Sequence, residues 1–177
     1  MPLPRPQSRS WSMAAPPLSP RPQLIGTAFD YLLRFHLRLL NSFSEERESW
    51  IAESAVRKLE GNFHDRGQDI CAKARRRYEL FLKGAPLNDD LLISALQLAQ
   101  LDFIFRSGQL PPMGDFAVFE EDIADLRQLV EVCDWSQWRA SHSCRLNPTF
   151  GIASTIVNGA DADFQIDGTL YELKTVR

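Results

Sequence analysis

The sequence predicts a mixed α/β protein, with a helical N-terminal half followed by a short β-rich end that carries a hairpin. Three observations lead there. Apolar residues recur at three- and four-residue steps through much of residues 24–132, the period of a helix with one buried face. After Trp138 the composition shifts to short runs of Ile, Val, Phe, Thr and Tyr. Between two such runs stands Asp167-Gly168, a pair that accepts the positive φ angles a type I′ hairpin turn demands.

Taken in order, residues 1–22 hold seven of the eleven prolines and three arginines with no apolar core, and they are expected to form a disordered leader and no signal peptide. The first helix is predicted over Leu24–Asn41, with Leu24, Ala28, Leu32, Phe35 and Leu39 on its inner face. Ser42 and Glu45 have the spacing of a capping box, with Ser44 an equal candidate cap. They predict a second helix running to about Gly61, whose inner stripe is Trp50, Ile51, Ala55, Val56 and Leu59. A third is expected over Asp65–Leu82, turning Ile70, Ala74, Tyr78 and Phe81 inward and ended by Gly84 and Pro86. Asn88 caps a fourth over Asp89–Ser107. Gly108 to Gly114, with Pro111-Pro112, is a turn region, and a fifth helix covers about Phe119 to Val132. Strands are expected beyond Asn147-Pro148, over Thr149–Thr175. Three regions result: a leader over 1–22, a helical region over 23–140 and a β-hairpin core over 141–177.

A chain of 177 residues, 44% hydrophobic and 24% charged, is enough for one globular domain. Its net charge of -3 argues against a protein coated in positive charge, yet that figure is the sum of +5 over residues 1–84, -7 over 85–140 and -1 over 141–177. A local basic patch, or a metal ion, remains open as the means of meeting a polyanion. Cys71, Cys133 and Cys144 are too scattered for a disulfide framework, so a reducing cytoplasm is the expected compartment. Asp30, Arg34, His36 and Arg38 interrupt the most apolar stretch, well within the roughly 20 residues a membrane span needs. No Gly-rich phosphate loop and no nucleophile elbow is present.

Chemistry concentrates near the end. Asp161 and Asp163 are two apart ahead of the turn, and Glu172 and Lys174 are two apart after it, so each pair shares a strand face. If Asp167-Gly168 forms a two-residue loop, Ile166 lies opposite Thr169, which places Asp163 opposite Glu172 and Asp161 opposite Lys174. Two opposed carboxylates repel unless compensated. A divalent cation compensates them, and Mg²⁺ needs only one or two protein carboxylates beside water and phosphate oxygens. The plain alternative is an exposed hairpin face on which Lys174 neutralises Asp161 or Glu172.

The stretch NPTFGIASTIVNGADADFQIDGTLYELKT resembles the PD-(D/E)XK nuclease superfamily, of restriction-endonuclease-like fold, and its RecB-type members in particular. That resemblance implies a metal-dependent nuclease hydrolysing DNA phosphodiester bonds, with Mg²⁺ or Mn²⁺ as cofactor and a mixed sheet as core. It implies Asp163 and Glu172 as metal ligands, the Leu173 backbone carbonyl as a third, and Lys174 as the catalytic lysine. Asp161 stands as an alternate ligand or an outer carboxylate, and an additional helix acid falls to Glu48 or Glu53, between which the sequence does not choose. RecB-type members continue into further strands and a helix beyond the lysine, so a truncated domain is expected, with the sheet completed by a missing C-terminal segment or a protein partner. The alternative is a catalytically inactive or truncated nuclease-like module that binds nucleic acid or protein, or a helical interaction protein whose acidic 85–140 region docks a partner.

Weaker candidates accompany this motif. Lys73, Arg75, Arg76 and Arg77, with Arg57, Lys58, Arg66 and Lys83, form either a DNA-contact face or a solvated one. Trp135 and Trp138 suit core or cover better than base stacking, and His36 suits packing. His64 is expected near the last carbonyls of a helix. His142 and Cys144 lack the third and fourth ligands of a zinc site.

Overall fold

Five α-helices and one 3₁₀ turn precede a three-stranded antiparallel sheet in a computed structural model that describes residues 15–46, 49–110, 116–148 and 162–172. The mixed α/β class expected from the sequence is the one observed.

Helix α1 spans Pro22–Leu40 and begins with proline, whose fixed φ suits a first helical turn. It is buried on two sides. Ala28, Leu32 and Phe35 enter the main helical core, while Leu33 and Leu37 enter a smaller core beneath the sheet. A period that predicted one inner face therefore misses half of this helix's role, and Leu39, predicted inward, is exposed. Ahead of α1 the described end of the expected leader is tied down. The Ser19 amide donates to Asp125 at 2.9 Å, its hydroxyl donates to Asp122 at 2.7 Å, and Arg21 pairs with Asp122.

The second helix departs furthest from expectation. Helix α2 is only Ile51–Val56, opened by the Trp50 amide donating to Glu53 Oε2 at 3.0 Å. The Ser42–Glu45 box does not form because the Glu45 backbone is used elsewhere. Its amide donates to Cys144 O and its carbonyl accepts from Leu146, both at 2.9 Å, so it caps the outer edge of the sheet. Helix α3, Gly61–Leu82, starts four residues earlier than predicted and buries Ile70, Ala74, Tyr78 and Phe81 as expected.

Helix α4, Asp89–Ser107, has the predicted bounds. Asn88 Oδ1 accepts from the Leu91 amide at 3.1 Å, and Gly108 at φ +70° ends the helix in the left-handed region. Packed against α1, α2 and α3, it is buried almost all round. Replacing Asn88 by Ala is expected to cost about 1 kcal/mol, read as a lower urea midpoint with unchanged slope. Helix α5 covers Glu120–Glu131.

A 3₁₀ turn at Trp135–Trp138 leads to β1, Cys144–Leu146, then β2, Phe164–Ile166, and β3, Thr169–Tyr171. The first strand lies before Asn147-Pro148 and not after it, because Asn147, at φ +49°, turns the chain out of the ladder. The rest of the expected strand region, 149–161 and 173–175, lies outside the described residues. Among the described residues no helix is long and apolar enough to cross a membrane.

Candidate active site at the hairpin

The β2–β3 hairpin is held from below by aromatic packing. Phe164, fully buried, stacks on Tyr171 at 4.9 Å, and Trp138 meets both rings edge-on at 5.2 Å. Its turn has Asp167 at φ +47° and Gly168 at φ +86°, the signs a type I′ turn requires. The Asp167 carboxylate does a second job by accepting the amides of Ser141, His142 and Ser143 at 2.7–2.8 Å. Those three donors hold its carboxyl below the ordinary range. The SHSC stretch thus serves as a backbone cradle for the turn, with His142 exposed and Cys144 buried in β1.

The register is the one the turn predicts: Ile166 opposite Thr169, Gln165 opposite Leu170, Phe164 opposite Tyr171. The ladder ends at that last pair, and its continuation by one residue would bring Asp163 opposite Glu172. Opposed residues have Cβ atoms about 4.5–5.5 Å apart, within reach of one ion. Asp163 is half-buried and Glu172 exposed. Asp161, Leu173 and Lys174 lie outside the described residues. Among the described residues no group of three or more His, Cys, Asp or Glu side chains is gathered as a metal cage.

Beside Asp163 stands a charge system that the sequence reading passed over. Arg34 on α1 is buried and donates from Nη2 to Asp30 Oδ2 at 2.8 Å, with its guanidinium 4.5 Å over the Tyr31 ring. Tyr31 donates to Asp102, which also pairs with Arg106 at 2.5 Å. Asp30 is 33% exposed as a side chain, yet its Oδ1 is covered and has no hydrogen-bond partner among the described residues. Burial raises the Asp30 carboxyl above its usual range, and the neighbouring charges of Asp163 and Asp102 add to the rise while Arg34 opposes it. An orphaned carboxyl oxygen under the charges of Asp163 and Asp102 is an arrangement that a proton or a cation would relieve. The available signal was a charged i, i+4 pair on an otherwise apolar helix.

A raised carboxyl pKa in the fold means that the ionised form is penalised on folding. Any stability Asp30 gains by holding a proton is therefore largest at low pH and is lost as pH climbs through the folded value. In a carboxyl-resolved NMR titration, Asp30 is expected to titrate above about 3.9, and an Asp163→Asn variant is expected to move that midpoint down. A midpoint indifferent to Asp163 would show the two carboxylates to be uncoupled.

The helix acids fare differently. Glu53 is committed to the Trp50 amide and to Arg75 at 2.6 Å, which removes it as an acid facing the hairpin, while Glu48 lies outside the described residues. The basic run on α3 is largely spent within the fold. Lys73 pairs with Asp69 at 2.6 Å, Arg77 with Asp90 at 2.8 Å, and Arg75 also covers Trp50 at 3.8 Å, leaving Arg76 and Lys83 on the exposed side. Trp135 stacks on His36 at 4.0 Å, and both act as cover over the junction between the two cores. His64 lies near the start of α3 beside Asp65, not at a helix end with free carbonyls.

Comparison with known proteins finds no matching family model, no similar curated protein and no similar solved structure.

Proposed function

We propose that the chain is a metal-dependent nuclease that hydrolyses DNA phosphodiester bonds, with Asp163 and Glu172 holding Mg²⁺ or Mn²⁺, helped by the Leu173 carbonyl. The observation that supports this reading is the hairpin register, Ile166 opposite Thr169 through Phe164 opposite Tyr171, whose continuation by one residue would oppose the two carboxylates. A bound divalent ion would polarise the phosphoryl group and lower the pKa of a coordinated water. Lys174 orients the attacking water and meets the negative charge that grows on the phosphate oxygens. Arg76 and Lys83 offer positive charge for the DNA backbone, so the polyanion meets a basic helix and not the acidic 85–140 region. A reducing cytoplasm suits three cysteines that are all free.

The deciding experiment incubates supercoiled plasmid and linear single-stranded DNA with the protein, with Mg²⁺, with Mn²⁺ or with EDTA. Cleavage that needs the metal is the expected result. DNA retention without cleavage under every metal condition would replace the nuclease by a binding module.

A further inference from the structure

We propose that Arg34 and Asn147 form a strut between α1 and the sheet that positions Asp163 for the cation, which makes both of them positioning residues of the hairpin site. The inference rests on the nuclease reading above and names what aligns its site.

The strut is built from directional bonds. Arg34 uses Nε on the Asp30 carbonyl at 3.2 Å and Nη2 on Asp30 Oδ2 at 2.8 Å. With the Asn147 amide oriented so that its oxygen faces the guanidinium, Nη1 reaches that oxygen at 2.5 Å and the amide nitrogen donates to the Asp163 carbonyl at 3.3 Å. The Asn147 backbone N–H donates to the same carbonyl at 2.9 Å. The Asp163 peptide is therefore gripped twice by one residue, and that residue is fixed in turn by the planar fork of a buried arginine.

Two features make this more than packing. Asp30 alone could neutralise Arg34, yet one edge of the guanidinium is turned away from it toward Asn147, and so toward the carboxylate-bearing strand. Elsewhere α1 meets the sheet through Leu33 and Leu37, apolar contacts that carry no directional information. The strut thus ties the Asp163 peptide to α1 by directional bonds. Asn147 also sits at φ +49°, where asparagine is tolerated far better than most residues, so side-chain relay and chain reversal come from one position.

The test uses the full chain and Mn²⁺, with free ion counted by electron paramagnetic resonance and the folded fraction by circular dichroism. Asn147→Gly keeps the positive φ but removes the amide. Arg34→Lys keeps the charge beside Asp30 but lacks the fork. Each is expected to weaken Mn²⁺ binding by about tenfold or more, the usual effect of removing a residue that orients a ligand. The loss is expected to persist after correction for any unfolded protein. Wild-type affinity in Asn147→Gly, or a loss in both variants that vanishes on that correction, overturns the strut and leaves the hairpin site standing. Absence of Mn²⁺ binding by the wild type, or undiminished binding by Asp163→Asn, overturns the site itself and the strut with it.

Discussion

Lys174→Ala is expected to slow Mg²⁺-dependent DNA cleavage by about 10²–10³-fold, the effect of deleting one preorganised group that meets charge growing in a transition state. The loss should fall on kcat, because an ammonium that acts on the attacking water contributes little to holding the metal. Glu172→Ala should fail differently. Removing one of two opposed carboxylates weakens the ion, so its defect appears first as a higher Mg²⁺ requirement that excess metal partly restores. Timed plasmid nicking across a metal titration separates the two signatures. Unchanged cleavage in both variants would remove the hairpin from the chemistry.

Phe164→Ala carries the largest expected loss of stability, about 3–5 kcal/mol for a buried phenylalanine truncated in place. Against a total of about 5–15 kcal/mol for a domain, that is a substantial share. The loss should also be local. Phe164 belongs to the smaller core with Leu33, Leu37, Cys144, Leu146 and Ile166, and its stacking partner Tyr171 and edge partner Trp138 lose their common surface with it. Amide hydrogen exchange is expected to show β2 and β3 opening early while α4, in the main core, keeps its protection. Equal loss of protection in α4 would mean that the two cores unfold as one unit.

The hairpin was readable because its information is local. A type I′ turn is encoded by two adjacent residues, and once the loop length is set the register follows with no further choice, so Ile166–Thr169 pairing could be stated in advance. Helix α4 was readable for the same reason, since Asn88 and Gly108 mark its ends from one residue outside each. Helix α2 was not, because Ser42–Glu45 is a sound local start signal that loses to a tertiary demand: Glu45 pairs its backbone with Cys144 and Leu146, about a hundred residues on. The bounds of α1 were nearly right, but its two-sided burial depends on a sheet that periodicity within the helix cannot reveal.

The candidate site divides along the same line. By itself, the sequence determined the tight turn at Asp167-Gly168 and the register that follows from it, Ile166 with Thr169 through Phe164 with Tyr171. What only the tertiary structure decided is the company these residues keep. Glu53, a helix acid by its chemistry, is drawn off to Arg75 and the start of α2. Asp30, more than 130 residues upstream of the motif, comes within electrostatic reach of Asp163, with Arg34 joined to it and, through Asn147, to the strand. Short-range geometry follows from φ, ψ and alternation, which each residue carries with it. Which distant carboxylate and guanidinium share a buried space is set by how α1 packs between two cores, and that is a property of the folded chain alone.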